Sequence, residues 1–170
     1  MENINKNLII NIISHKISQE ILESIENIDL IISSADDDYC LSLMNEYCCH
    51  KKIPMVGVGY INDISTIGPF YIPELTSCLY CNKDIYLERT NYDEKVIRIN
   101  NAYKAPSTIV NNFFAGAMIS SEIIKFFAKD YDGMLSINNI IGIHNKTFLL
   151  EKIKIEKSPN CIYCGGEYHV

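Results

Sequence analysis

Asp29-Leu30-Ile31-Ile32-Ser33-Ser34-Ala35-Asp36-Asp37-Asp38 decides the reading of this chain. Six apolar or small residues, Leu30 to Ala35, run together and stop at three acids. A short apolar run bounded by polar residues reads as a buried strand. The acids then suit the start of a helix, whose N-terminal amides favour negative charge. A helix follows from about Tyr39 to Lys51, with Leu43 and Tyr47 on one face. Lys52-Ile53-Pro54 ends it, and Met55-Val56-Gly57-Val58-Gly59 is the next strand.

Upstream, Leu8 to Ile13 is an isoleucine-rich run that reads as another buried strand. Ile17, Ile21, Leu22, Ile25 and Ile28 keep helical spacing, with Ser18, Glu20, Glu23 and Glu26 on the wet face. Strand, helix, strand, helix, strand implies right-handed crossovers and a parallel sheet. Downstream the pattern changes. Ile64 to Ile72 reads as a strand broken at Gly68-Pro69. Lys83 to Lys104 is polar and weakly periodic, a candidate for a long excursion. Pro106-Ser107 opens a helix to about Lys129, with Val110, Phe113, Phe114, Ala117, Ile124 and Phe127 as its expected buried stripe. Met134 to Ile143 and Thr147 to Ile155 read as a hairpin around His144-Asn145-Lys146, with Asn145 the left-handed residue.

Two CxxC pairs punctuate this order: Cys78-Leu79-Tyr80-Cys81 and Cys161-Ile162-Tyr163-Cys164. Two intervening residues let the backbone fold tightly enough for both thiolates to reach one ion. Two such pairs point to one tetrahedral site with four cysteine ligands, and zinc is the expected metal. Disulfides among the same residues are the alternative. No signal-peptide pattern opens the chain, so an oxidising compartment has no support and a cytoplasmic location is expected. Cys40, Cys48 and Cys49 read as small buried helix residues. Cys48-Cys49-His50 point to different helix faces and cannot readily share an ion. His15, His144 and His169 have no partner at metal spacing, and Tyr80 and Tyr163 are expected to pack. Asp36-Asp37-Asp38 could hold Mg²⁺ through hard carboxylate oxygens. On spacing alone a solvated turn is the simpler reading.

The chain has 170 residues, enough for one domain with a real core and not comfortably two. Its formal net charge is −6, with lysines scattered and arginine only at 89 and 98. That leaves no basic footprint for nucleic acid. The most apolar stretch, Ile109 to Ala128, is interrupted by Asn111, Asn112, Ser120, Ser121, Glu122 and Lys125, which argues against a membrane span.

These residues together resemble the ThiF/MoeB-like superfamily of ubiquitin-activating-type enzymes, which adenylate a peptide or protein carboxyl group. The resemblance rests on the strand ending at Ala35-Asp36-Asp37, on Lys52-Ile53-Pro54-Met55-Val56-Gly57, and on Gly68-Pro69-Phe70-Tyr71-Ile72-Pro73 leading to Thr76-Ser77-Cys78-Leu79-Tyr80-Cys81. A Pro-opened helix, a hairpin and a closing CxxC complete the order. It covers about Leu8 to Gly165 and is nearest to members that mature ribosomal peptides, including microcin-type activating enzymes and partners of azoline-forming cyclodehydratases.

The resemblance implies an α/β fold: a partial Rossmann-like parallel sheet with an antiparallel extension, stapled by the four-cysteine zinc site. It makes Asp36 the Mg-ATP ligand. The family's Gly-rich strand–turn–helix, which cradles phosphate, has no counterpart here. Gly57-Val58-Gly59 is a bare GxG inside a strand. Asp37 and Leu41 stand approximately where the family has Asn and Arg. No cysteine lies between Asn82 and Asn160, so a covalent transfer step is not expected. Residues 1–170 are therefore expected to be one ThiF-like domain lacking its N-terminal nucleotide-binding part. The expected role is a portion of an adenylyltransferase acting on a peptide or small carrier-protein C-terminus, inactive alone. The alternative is a non-catalytic, zinc-stabilised leader-peptide recognition subunit of a cyclodehydratase-type complex. Either implies a homodimer or a partner subunit.

Overall fold

The computed structural model describes residues 5–35, 37–81 and 108–165. Eight elements follow in order: α1 Gln19–Ser24, β1 Ile31–Ser33, α2 Asp38–Lys51, β2 Met55–Ile61, β3 Ile64–Tyr71, α3 Ile109–Phe127, β4 Asn139–His144 and β5 Leu150–Lys154. The strands form one five-stranded sheet in the order β1-β2-β3-β4-β5. Only β1 and β2 are parallel, with Ile31 opposite Met55. The pairs β2–β3, β3–β4 and β4–β5 are antiparallel. The fold is thus α/β with a mixed sheet, and its parallel part is a single crossover rather than the series the pattern suggested.

Adjacent residues of a strand face opposite ways, and here each direction has its own core. Met55, Tyr71 and Ile140 turn to a cluster with Leu22, Met44, Cys48 and Ile155 under α1 and α2. Their neighbours Val56, Phe70 and Ile141 turn to a second cluster with Ile119 and Met134 under α3. The sheet is therefore the middle of three layers. Each fully buried Ile, Val or Phe contributes about 1.5–3 kcal/mol by leaving water, so both helical layers are held mainly by these side chains.

Element ends follow local chemistry. The Ser18 hydroxyl caps α1 by accepting from Ile21 N at 3.3 Å. Lys52 closes α2 in a left-handed conformation, φ 55°, and Pro54 prevents continuation. Among the described residues no helix is long and apolar enough to cross a membrane.

Several expectations are corrected. Leu8 to Ile13 is not a strand: it is irregular and exposed, and it joins neither edge of the described sheet, β1 or β5. β3 is not broken at Gly68-Pro69; it runs through a cis peptide bond there. The segment 134–138 lies outside β4, since Ser136 and Asn138 use their carbonyls to hold Phe70 N and Ile155 N. In the β4–β5 connection the left-handed residue is Phe148, φ 57°, not Asn145. Asn145 instead donates its amide to Asn111 Oδ1 at 2.6 Å. The stripe expected for α3 is also wrong. Asn111, Ala115, Ile119 and Glu122 are its buried residues, while Val110, Phe113, Ile124 and Phe127 are exposed. Asn111 and Glu122 fall outside the expected stripe because their buried partners, Asn62, Asn145 and Ser136, are distant in sequence. The excursion expected at Lys83 to Lys104 lies outside the described residues.

Candidate metal centre and acidic turn

The first knuckle hangs from the end of β3. Thr76, fully buried, ties its base: its hydroxyl accepts from Ile72 N at 2.6 Å and donates to Phe70 O at 2.8 Å. Ser77 N donates to Asn138 Oδ1 at 2.7 Å, which anchors the knuckle to the strand β4 region. Cys81 N then reaches back to Cys78 O. The second knuckle closes in the same way, with Cys161 N bonded to Ser158 O and Gly165 N to Cys161 O. A Cβ at Gly165 would come within 2.4 Å of Cys161 N, so only glycine fits that turn.

The two knuckles bring Cys78, Cys81, Cys161 and Cys164 together, with their sulfurs all within 4.8 Å of one another. The Sγ–Sγ separations are 3.6 Å for Cys78–Cys161, 3.9 Å for Cys78–Cys81 and 3.2 Å for Cys81–Cys164. A disulfide needs about 2.05 Å, so the disulfide alternative has no support. A tetrahedral ion with Zn–S near 2.3 Å sets sulfurs about 3.8 Å apart. The cluster is close to that size, and this four-sulfur set is the only such metal-ligand group among the described residues. It could hold a metal, and the all-thiolate set suits zinc with no open position.

The sulfurs act strongly on one another. Hydrogen bonding to Cys164, then to Cys78, holds the Cys81 thiol down to about 2 against the effect of burial. Cys78 and Cys81 in turn push Cys164 up. Metal binding at such a cluster would require the thiols to give up their protons.

Asn45 on α2 is a site residue that the pattern reading missed. It is fully buried, its amide donates to Cys78 Sγ at 3.9 Å, and its Oδ1 accepts from Leu79 N at 3.2 Å. Both ends of one side chain therefore orient the first knuckle, as partners of metal ligands commonly do. The signal was available: Asn45 shares the apolar face of Cys48 and Cys49, three and four residues on. Those two cysteines and Cys40 are buried in the α2 core, as expected. Burial pushes the Cys48 thiol up to about 12 and makes it inert. Tyr80 and Tyr163 pack as expected, against each other, with ring centroids 5.3 Å apart across the two knuckles. His169 lies outside the described residues.

The acidic turn after β1 divides its residues. Asp37 is the N-cap of α2: its Oδ1 accepts from Tyr39 N at 2.9 Å and Cys40 N at 3.1 Å. The Cys40 amide, foremost, holds its carboxyl below the usual range. Asp37 is therefore committed to the helix. Asp38 is exposed in the first turn. Asp36 lies outside the described residues. Leu41, approximately where the resembling family has Arg, packs against the α2 core.

Comparison with known proteins places this geometry. The sequence model of the ThiF family matches residues 1–163. The crystal structure of E. coli MccB with ATP is 30% identical, with a TM-score of 0.81, over 96% of this chain and 48% of that one. The microcin C7 biosynthetic enzyme MccB in complex with N-formylated MccA is 34% identical, with a TM-score of 0.72, over 85% of this chain and 43% of that one. The heterocyclase TruD, at 18% identity and a TM-score of 0.65 over 81% of this chain and 22% of that one, shares the fold alone. Comparison with curated proteins finds no match. The chain spans about half the length of the MccB chains it matches.

Proposed function

This chain belongs to the ThiF family, and from that premise we propose that it is the zinc-stapled portion of an enzyme that adenylates a peptide's C-terminal carboxylate. One observation carries the reading. Nearly all of this chain corresponds to about half of an enzyme crystallised with ATP, and a crystal of that same enzyme with the peptide MccA matches it too. In the proposed reaction a carboxylate oxygen attacks the α-phosphorus of ATP. The new P–O bond forms as the bond to the β,γ-diphosphate breaks, giving an acyl-adenylate and pyrophosphate.

The residues divide the work. Cys78, Cys81, Cys161 and Cys164 would hold Zn²⁺ as a structural ion, since four thiolates leave no position for substrate. Asp36 would hold Mg²⁺ beside the phosphates, where the ion offsets their charge. Asp37, next in sequence, caps α2. The glycine-rich phosphate cradle lies, in this reading, outside these 170 residues, on the same or another polypeptide.

ATP–pyrophosphate exchange tests the proposal. The 170-residue chain alone should give none, for want of cationic and amide groups around three phosphates. Joined to a segment that supplies the cradle, it should exchange only when a peptide with a free C-terminus is present. Asp36→Ala should then lower the rate by about 100-fold or more, with zinc content unchanged. Peptide binding without any exchange would instead make the chain a recognition subunit. A fully active Asp36→Ala protein would remove Asp36 from the site.

A further inference from the structure

A fifth thiol stands beside the four-cysteine group. Cys49 lies on α2 one helical turn beyond Asn45, so the two side chains leave the same side of the helix. Asn45 reaches Cys78 Sγ at 3.9 Å. Cys164, Cys49 and Cys81 all lie within hydrogen-bond reach of that same Cys78 thiol. The Tyr71 hydroxyl, at the end of β3, bonds to Cys49 and lies close enough to feel the charge of Cys164 and Cys78. Cys49, Tyr71 and Cys78 share one buried cluster and are 7%, 5% and 0% exposed. Cys49 is thus on the Cys78–Cys164 side of the group, in a space that excludes water.

The closed site does not use this thiol. Four thiolates complete a tetrahedral shell, and Cys49 stands outside the set whose sulfurs lie within 4.8 Å of one another. A small apolar side chain would fill the same core position. What sulfur adds there is a donor that a metal ion can take.

The four ligands are not held equally. Cys78, Cys81 and Cys161 are buried, whereas Cys164 is half-buried, so Cys164 is the ligand that solvent reaches first. Loss of its sulfur would leave an ion on three thiolates with one position open, and an open position on zinc takes the donor at hand. Cys49 is that donor. Its helix is fixed to the first knuckle through Asn45, which bonds both Cys78 Sγ and Leu79 N.

We propose that Cys49 is a reserve ligand of the metal centre, which takes the fourth position on the ion when Cys164 leaves it. The exchange balances. The Zn–S bond to Cys164 breaks as the Zn–S bond to Cys49 forms, and the Cys49 proton passes, directly or through solvent, to the Cys164 sulfur. The ion keeps four thiolates, and nothing is oxidised or reduced. The inference rests on the zinc reading of the four cysteines and not on adenylation.

Cobalt(II) is the probe, because its sulfur charge-transfer band grows with each thiolate bound and its visible bands report a tetrahedral shell. The full chain is compared with Cys49→Ala, Cys164→Ala and the double variant. Wild type and Cys49→Ala should show four thiolates, and so should Cys164→Ala. The double variant should show three, and its affinity for cobalt and zinc should fall below that of Cys164→Ala by about 100-fold or more, the upper end of what loss of an outer partner costs. A second readout needs no variant to fold. The zinc-loaded wild-type chain, alkylated once by iodoacetamide at Cys164 as mapped by mass spectrometry, should keep its ion. Three thiolates in Cys164→Ala, or release of the ion on that first alkylation, overturns the proposal. A wild-type chain that takes up neither cobalt nor zinc overturns the zinc reading together with it, so the two failures are told apart.

Discussion

Glu122 is 2% exposed on the packing face of α3. Its Oε2 accepts from Ser136 N at 2.8 Å and from the Ser136 hydroxyl at 2.5 Å, and its Oε1 faces Lys125 Nζ at 3.0 Å. Burial alone would push the carboxyl up, but the Ser136 donors and then Lys125 outweigh it, and it lies below the ordinary value. A depressed carboxylate favours the folded state above its unfolded value, and that stability is lost as pH falls through the folded value. Glu122→Gln keeps the shape and removes the charge. It should cost about 2–3 kcal/mol at neutral pH and should flatten the acid limb of the urea midpoint relative to wild type. The difference between the two proteins is the readout, because acid also protonates the zinc thiolates of both. An unchanged neutral midpoint would mean that the network contributes nothing.

At the scale of the element, α2 depends on its ends. Asp37 satisfies two amides that the helix leaves unpaired, and Asp37→Ala should cost about 1 kcal/mol, read as a lower urea midpoint with zinc still bound. A midpoint equal to wild type would count against the cap. α2 also shows what was legible in the sequence. Asp37 and Pro54 announced its boundaries, because caps and helix breakers act within a few residues. α3 was located for the same reason, but its facing was not. Both of its sides are apolar, so periodicity cannot say which one meets the sheet, and the polar Asn111 and Glu122 that do so owe their burial to Asn62, Asn145 and Ser136. Leu8 to Ile13 failed differently. Its composition suits a strand, but pairing is a property of a neighbour that no window of sequence contains.

For the whole molecule the staple matters most. The four cysteines were legible because CxxC spacing is a local constraint, and their meeting followed from chemistry rather than periodicity. Asn45, which orients Cys78, was not, because its role depends on a contact across 33 residues. Purified without added metal, the chain should carry one zinc. Stripping it with a chelator should melt the α2 face, where Cys78, Cys81 and Cys161 are part of the core. Structural zinc contributes about 10–16 kcal/mol in small domains, as much as the net stability of a typical fold. Elemental analysis with a thermal melt checks this, and a metal-free chain melting at the holo temperature would refute it. The knuckles stand 83 residues apart, and that interval has a consequence for biosynthesis. A ribosome delivers Cys78 and Cys81 long before Cys161 and Cys164, and Ile155, part of the same core, also emerges late. The nascent chain must wait, half-lined and with two thiols waiting for partners, until the second knuckle is made. Loss of the second knuckle would therefore forfeit the whole α2 face, and a zinc-starved cell would accumulate chains that cannot close it.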